Sequence, residues 1–67
     1  MMQIELNGET RETADNATIA QLLEELQLPP ARVAVEVNYE LVPRERHTQH
    51  VLEPGDRLEV VTLVGGG

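Results

Sequence analysis

The sequence contains no cysteine, lysine, tryptophan or phenylalanine, and its apolar runs are short. The lack of cysteine excludes a disulfide scaffold, a CxxC metal site and a thiol nucleophile. Tyr39 is the single aromatic residue, so the core must be built from aliphatic side chains. No apolar run could span a bilayer, and the first residues lack the basic and apolar segments of a signal peptide. We therefore expect a cytoplasmic protein with no membrane association.

Charge and length narrow the class of function further. Twelve acidic residues against five arginines give a net charge of −7, which repels phosphate backbones and argues against nucleic-acid binding. The same charge favours partner proteins with basic surfaces. A chain of 67 residues forms one small domain with little room for a deep, water-excluding pocket. We expect a monomer when free that is not a self-sufficient enzyme and has no catalytic residues of its own.

The first half of the chain predicts a hairpin followed by a helix. Residues 2–6 alternate between apolar and polar, the period of a half-buried strand. Asn7-Gly8 predicts a type I′ turn into a more polar strand over residues 9–14. Thr18 predicts a helix N-cap, completed as a capping box by Gln21, in a helix of about ten residues. Its apolar stripe, which is expected to face a sheet, consists of Ile19, Leu22, Leu23 and Leu26. Two prolines, Pro29 and Pro30, end the helix.

The second half predicts further strands. Residues 33–37 alternate as a third strand, and residues 41–42 form a short apolar pair before a polar stretch with an irregular or single-turn helix over residues 44–50. Residues 53–56 suit a type II turn, with proline at its second position and glycine at its third. The last strand runs from residue 57 to about residue 64.

This order of elements predicts an α+β fold in which one mixed sheet of four to five strands packs a single main helix on one face. The β-grasp, or ubiquitin-like, arrangement is the commonest small fold with this order. It places the final strand beside the first, in the middle of the sheet. We expect a β-grasp domain over residues 1–64 and a flexible tail over residues 65–67.

Three glycines, Gly65, Gly66 and Gly67, follow the last strand directly. A terminal glycine run is often only a frayed end. Here no polar spacer precedes the glycines, and the rest of the chain offers no competing site. A glycine arm is thin and reaches roughly 10 Å beyond a sheet, enough to carry a terminal carboxyl into another protein's active site. The chain has no phosphate-binding loop, so any nucleotide that activates this carboxyl must bind a partner.

Several segments of the chain carry a resemblance to a known family. They are the opening strand with its turn, the helix segment, two motifs after the helix, and the glycine end: Met2-Gln3-Ile4-Glu5-Leu6-Asn7-Gly8, Thr18-Ile19-Ala20-Gln21-Leu22-Leu23, Val42-Pro43-Arg44, Pro54-Gly55-Asp56, Val64-Gly65-Gly66-Gly67. With them, nearly the whole chain resembles the thiamine-pathway sulfur carrier protein (ThiS) family. Family members often have Asn-Gly where this chain has Asn38-Tyr39. Tyrosine accepts a positive φ badly, so the local turn is expected to differ.

The resemblance implies a β-grasp sulfur carrier that acts as a co-substrate. A ubiquitin-activating-type enzyme, using ATP and magnesium, adenylates Gly67, while this chain binds no cofactor itself. A sulfur donor, such as a cysteine desulfurase or a sulfurtransferase, then converts Gly67 to a thiocarboxylate for thiazole synthase. A trimmed end at Gly66 is the alternative reactive residue. The alternative functions are a sulfur carrier for molybdopterin synthesis and a ubiquitin-like binding or conjugating module.

Two further sites can be weighed from the sequence. If Leu58 and Val60 face the core, alternation turns Val61 and Leu63 outward, and with Val64 they predict a partner docking surface beside the tail. His47 and His50 stand at a spacing that permits shared metal ligation, but no third ligand is near in sequence. A solvated polar loop is the better interpretation of that pair.

Overall fold

The structure is a computed structural model that describes residues 1–63; Val64, Gly65, Gly66 and Gly67 lie outside the described residues. Its elements are five strands, one α-helix and two single-turn 3₁₀ helices: β1 Met2–Leu6, β2 Glu9–Thr13, α1 Ile19–Glu25, the first 3₁₀ turn Pro30–Arg32, β3 Val33–Val37, β4 Glu40–Val42, the second 3₁₀ turn Arg44–Arg46, and β5 Arg57–Thr62. The predicted order of elements is therefore confirmed.

The five strands form one sheet in the order β2-β1-β5-β3-β4. Strands β1 and β5 are parallel, while the other neighbouring pairs are antiparallel. The final strand thus lies beside the first in mid-sheet, and α1 covers one face. This is the predicted α+β arrangement with a mixed sheet and one packed helix.

Local turn chemistry explains why β1 and β2 pair as they do. Asn7 and Gly8 have φ values of 49° and 86°, as a type I′ turn requires at both central positions. The turn matches the right-handed twist of the strands and sets the register in which Leu6 faces Glu9. The predicted type II turn is also present, since Gly55 has a φ of 85° and the Asp56 amide donates to the Glu53 carbonyl at 3.1 Å.

The helix begins as predicted but ends differently. The Thr18 side chain accepts a hydrogen bond from the Gln21 amide at 3.1 Å, and the Gln21 side chain accepts one from the Thr18 amide at 2.9 Å. The C-terminus is closed by Gln27, which has a φ of 58°, while the Leu28 amide donates to the Leu23 carbonyl at 2.9 Å. This Schellman motif ends α1 before the two prolines, which instead lead into the first 3₁₀ turn.

The core lies between α1 and one face of the sheet and is almost entirely aliphatic. Alternate residues of β1, β3 and β5 point into it, and the helix adds the side chains of its apolar stripe. The helix residues Ile19, Leu22 and Leu23 are fully buried, whereas Leu26 is half-buried at the margin. Each buried aliphatic side chain of this size contributes about 1.5–3 kcal/mol relative to leaving it exposed. Burial against the sheet is what stabilises so short a helix.

The expectation that Tyr39 changes the turn between β3 and β4 is wrong. Asn38 and Tyr39 both have positive φ values, of 52° and 72°, so the turn keeps the backbone form that Asn-Gly adopts. The Arg57 guanidinium lies over the Tyr39 ring at 4.5 Å from its centroid, which supplies a cation–π contact. A tertiary contact thus accompanies an unfavourable local conformation.

Candidate functional site

Two of the three predicted docking residues, Val61 and Leu63, lie at the end of β5 and just after it, on the sheet face away from the helix. Leu58 and Val60 are buried, whereas Val61 and Leu63 have exposed fractions of 54% and 52%. The strand itself ends at Thr62, but the Leu63 amide still donates to the Arg32 carbonyl at 2.7 Å. The backbone of Leu63 is therefore held in the sheet while its side chain faces solvent. The predicted orientation of these two side chains is confirmed.

Neighbouring strands add two residues to this exposed surface. Ala34 on β3 lies directly opposite Val61, and Leu41 on β4 is 65% exposed on the same face. We call Ala34, Leu41, Val61 and Leu63 the outer patch. Sequence reasoning missed Leu41, which it treated only as half of an apolar pair. The signal was available, since alternation turns Leu41 outward once Val42 faces the core.

Carboxylates border the outer patch. Glu36 on β3 lies directly opposite Glu59 on β5. Arg57 contacts Glu59 at 3.1 Å and Glu5 at 3.2 Å, so these two carboxylates share one guanidinium. Among residues 1–63 no ion pair involves Glu36. The surface is therefore apolar, with the unshared carboxylate of Glu36 at one end and the exposed Arg32 beside Leu63 at the other. It suits a partner that presents apolar side chains and a basic group opposite Glu36.

The side chain of Asn7 holds β5 in place where β1 ends. Its Oδ1 accepts from the Val60 amide at 2.8 Å, and its Nδ2 donates to the Val60 carbonyl at 3.2 Å. The side chain thereby occupies the position of one further residue of β1. It stabilises the part of β5 that leads to the outer patch and to the glycines.

The other predicted site residues cannot be located in the structure. Val64, Gly65, Gly66 and Gly67 all fall outside the described residues 1–63. The reactive residue, the glycine tail and the third docking residue therefore stay predictions. The described part of the chain ends at Leu63, at the edge of the outer patch.

The interpretation of His47 as part of a solvated loop is wrong. His47 is 3% exposed, and its Nε2 lies 3.1 Å from the Val42 carbonyl oxygen, which it contacts as a hydrogen-bond donor in the matching tautomer. His50 is only half-buried. Within residues 1–63 no group of three or more histidine and carboxylate side chains is placed to hold a metal. His47 lies in an irregular segment, where the alternation of a strand does not apply. Its burial therefore could not be predicted from the neighbouring residues.

Within residues 1–63 no helix has the length and apolar character needed to cross a bilayer. The one α-helix, Ile19–Glu25, is seven residues long and has three buried core residues.

Comparison with known proteins covers nearly the whole chain. The chain is 35% identical to the sulfur carrier protein ThiS of Escherichia coli over 98% of this chain and 100% of that protein. It is 41% identical to a thiazole synthase of Paramagnetospirillum magneticum over 98% of this chain, but it spans only 20% of that protein.

A solved structure gives the same result. The crystal structure of a thiamine biosynthesis protein (ThiS) from Geobacter metallireducens matches with a TM-score of 0.84 and 30% identity, over 98% of this chain and 100% of that one. The model of the ThiS family matches residues 4–67, a range that includes the three glycines. The chain therefore belongs to the ThiS family.

Proposed function

We propose that this chain is a cytoplasmic sulfur carrier of thiamine biosynthesis that delivers sulfur to thiazole synthase from a thiocarboxylate on Gly67. The observation that carries the proposal is the match along the full length of a protein named sulfur carrier protein ThiS. The family model also extends to the last glycine. The similarity to thiazole synthases supports that enzyme as the recipient of the sulfur.

The chemistry assigned to Gly67 needs an activated carboxyl group. A carboxylate resists nucleophilic attack because it is negatively charged. An adenylating enzyme of the ubiquitin-activating type, holding ATP and magnesium, would join a carboxylate oxygen to the α-phosphorus and release pyrophosphate. Sulfide can then attack the carbonyl carbon and expel AMP, which leaves the thiocarboxylate. A donor persulfide gives the same product through an acyl disulfide that a thiol reduces.

In this proposal the domain serves to present the carboxyl group. Gly65 and Gly66 separate the reactive residue from the sheet and add no side chains that would widen the arm. Ordering each of these residues in a partner's channel costs about 1–2 kcal/mol, which contacts made by the domain must offset. We assign that role to the outer patch together with Val64.

The reaction itself is the direct test. The protein is incubated with ATP, magnesium, sulfide and the adenylating enzyme of the thiamine pathway, and its intact mass is then measured. We expect the mass change of one oxygen replaced by sulfur, located at Gly67 by fragmentation. Modification at Gly66 after loss of the last residue would identify a trimmed end. An unmodified mass, while the Escherichia coli carrier reacts in parallel, would refute the proposal. To test the pathway, the thiocarboxylate form is then added to thiazole synthase and, separately, to molybdopterin synthase. The proposal predicts transfer of sulfur to the first enzyme and not to the second.

The docking role of the outer patch has a matched pair of variants. Leu63→Glu places a charge in the patch, and we expect thiocarboxylate formation to slow roughly tenfold, as for other interface anchors. Val51→Glu is the control, because Val51 is 49% exposed but lines a surface cleft together with Met2, where β1 begins. Both variants should keep the stability of the parent. Equal rates for the two variants would remove the patch from the proposed interface.

A further inference from the structure

The backbone of β5 has an open edge just before the glycines. Pairing with β1 is limited to Glu5 opposite Arg57 and Leu6 opposite Leu58, because the chain turns away at Asn7. Asn7 extends this side by one step through its amide contacts with Val60. Beyond that point residues 1–63 place no further strand beside β5 on this side, although β5 continues to Thr62.

The register shows which backbone groups face the open edge. On the β3 side, the Asn38 amide donates to the Arg57 carbonyl and the Leu63 amide donates to the Arg32 carbonyl. On the opposite side, the Asn7 amide donates to the Leu58 carbonyl. Successive residues of a strand direct their amide and carbonyl groups to opposite sides. The amide and carbonyl of Thr62 therefore point to the open side, in line with those of Leu58.

Thr62 and its neighbours are accessible on this edge. Val61, Thr62 and Leu63 are all exposed. An exposed amide and carbonyl from one residue match the paired groups that an adjacent strand residue presents in an antiparallel ladder. Unpaired strand edges next to exposed apolar side chains also favour pairing with another chain.

We propose that the enzyme that activates Gly67 lays an extended segment of its own backbone against this open edge and hydrogen-bonds the amide and carbonyl of Thr62. The added segment would continue the line of β1 beyond the Asn7 turn. This inference rests on the proposed carrier function and adds a second contact to the outer patch. Backbone pairing fixes the direction of the chain only five residues before Gly67. It therefore aims the following glycines, which have no side chains that a partner could hold.

Two substitutions of the same residue test the pairing. Thr62→Pro removes the outward amide and leaves the bonds to β3 intact, because those bonds use Val61 and Leu63. Proline is tolerated where an amide does not face a neighbouring strand. Thr62→Ala keeps the amide and is the control. We expect Thr62→Pro to slow thiocarboxylate formation about tenfold, near the upper end for the loss of one net backbone hydrogen bond, and Thr62→Ala to stay within about twofold of the parent.

Hydrogen exchange gives an independent measurement on the unmodified protein. We expect the Thr62 amide to exchange quickly in the free carrier and to become protected when the activating enzyme is added, with the Leu63 amide protected in both states. An unprotected Thr62 amide in the complex would overturn the inference. So would a folded Thr62→Pro variant that reacts at the parental rate. Failure of the parent protein to react would instead refute the carrier function.

Discussion

Replacing Asn7 by glycine isolates the contribution of the side-chain contacts that join the ends of β1 and β5. Asn7 and Val60 are 53 positions apart, and two hydrogen bonds connect them. Each such bond contributes about 0.5–1.5 kcal/mol net. Asn7 has a φ of 49°, and glycine adopts this region freely, so Asn7→Gly removes the bonds without adding backbone strain. The expected loss of stability is about 1–3 kcal/mol.

That loss is large for so small a domain. Total stabilities of roughly 0.05–0.15 kcal/mol per residue imply about 3–10 kcal/mol here. A loss of 1 kcal/mol lowers the melting temperature by about 4–8 °C in domains of this size. Asn7→Ala should cost more than Asn7→Gly, because alanine adds about 1–2 kcal/mol of strain at a positive φ. Asn7→Asp keeps the oxygen that accepts from the Val60 amide, but it replaces Nδ2 by a second oxygen that cannot donate to the Val60 carbonyl.

Urea unfolding, followed by circular dichroism, measures these differences at constant m-value. Asn7→Gly should lower the midpoint, and the amides of Val60, Val61 and Leu63 should lose exchange protection first. If Asn7→Gly unfolds within about 0.3 kcal/mol of the parent, the side-chain contacts do not hold β5. If Asn7→Ala proves no less stable than Asn7→Gly, the argument from backbone strain is wrong.

Two further predictions concern Glu36 and the histidines. Glu36→Gln removes a carboxylate that lies opposite Glu59, so we expect about 0.2–1 kcal/mol more stability in urea but slower, less salt-sensitive association with the activating enzyme. The control Glu24→Gln, on the exposed side of α1, should change neither property; equal effects of the two variants would exclude a specific role for the charge on β3. His47→Ala should destabilise the domain by about 2 kcal/mol, since it leaves a cavity and removes the contact of Nε2 with the Val42 carbonyl, while His50→Ala should cost less than about 0.5 kcal/mol. Similar unfolding midpoints for the two alanine variants would show that the buried contact contributes little.

Much of the fold follows from patterns within a few residues. The type I′ turn at Asn7-Gly8 depends on local backbone geometry, and the capping box of Thr18 and Gln21 depends on local hydrogen bonds. Both can therefore be predicted from the sequence. The outward orientation of Val61 and Leu63 follows in the same way from the period of a strand, since two positions always restore the same face. The role of Gly67 rests on the family to which the chain belongs.

The tertiary structure decided the features that join distant segments. No local pattern indicates that Asn7 bonds to Val60, that Glu36 faces Glu59, or that His47 is buried. Each depends on which strands become neighbours and in which register, and that choice reflects the burial of the whole aliphatic core. Tyr39 likewise has a positive φ, and the strands on either side of its turn and its contact with Arg57 both belong to the tertiary fold. The sequence by itself determined the elements and the faces they bury, because those depend on periodicity. Only packing determined the open edge of β5 and the surface beside it, because both arise where one strand ends and another continues.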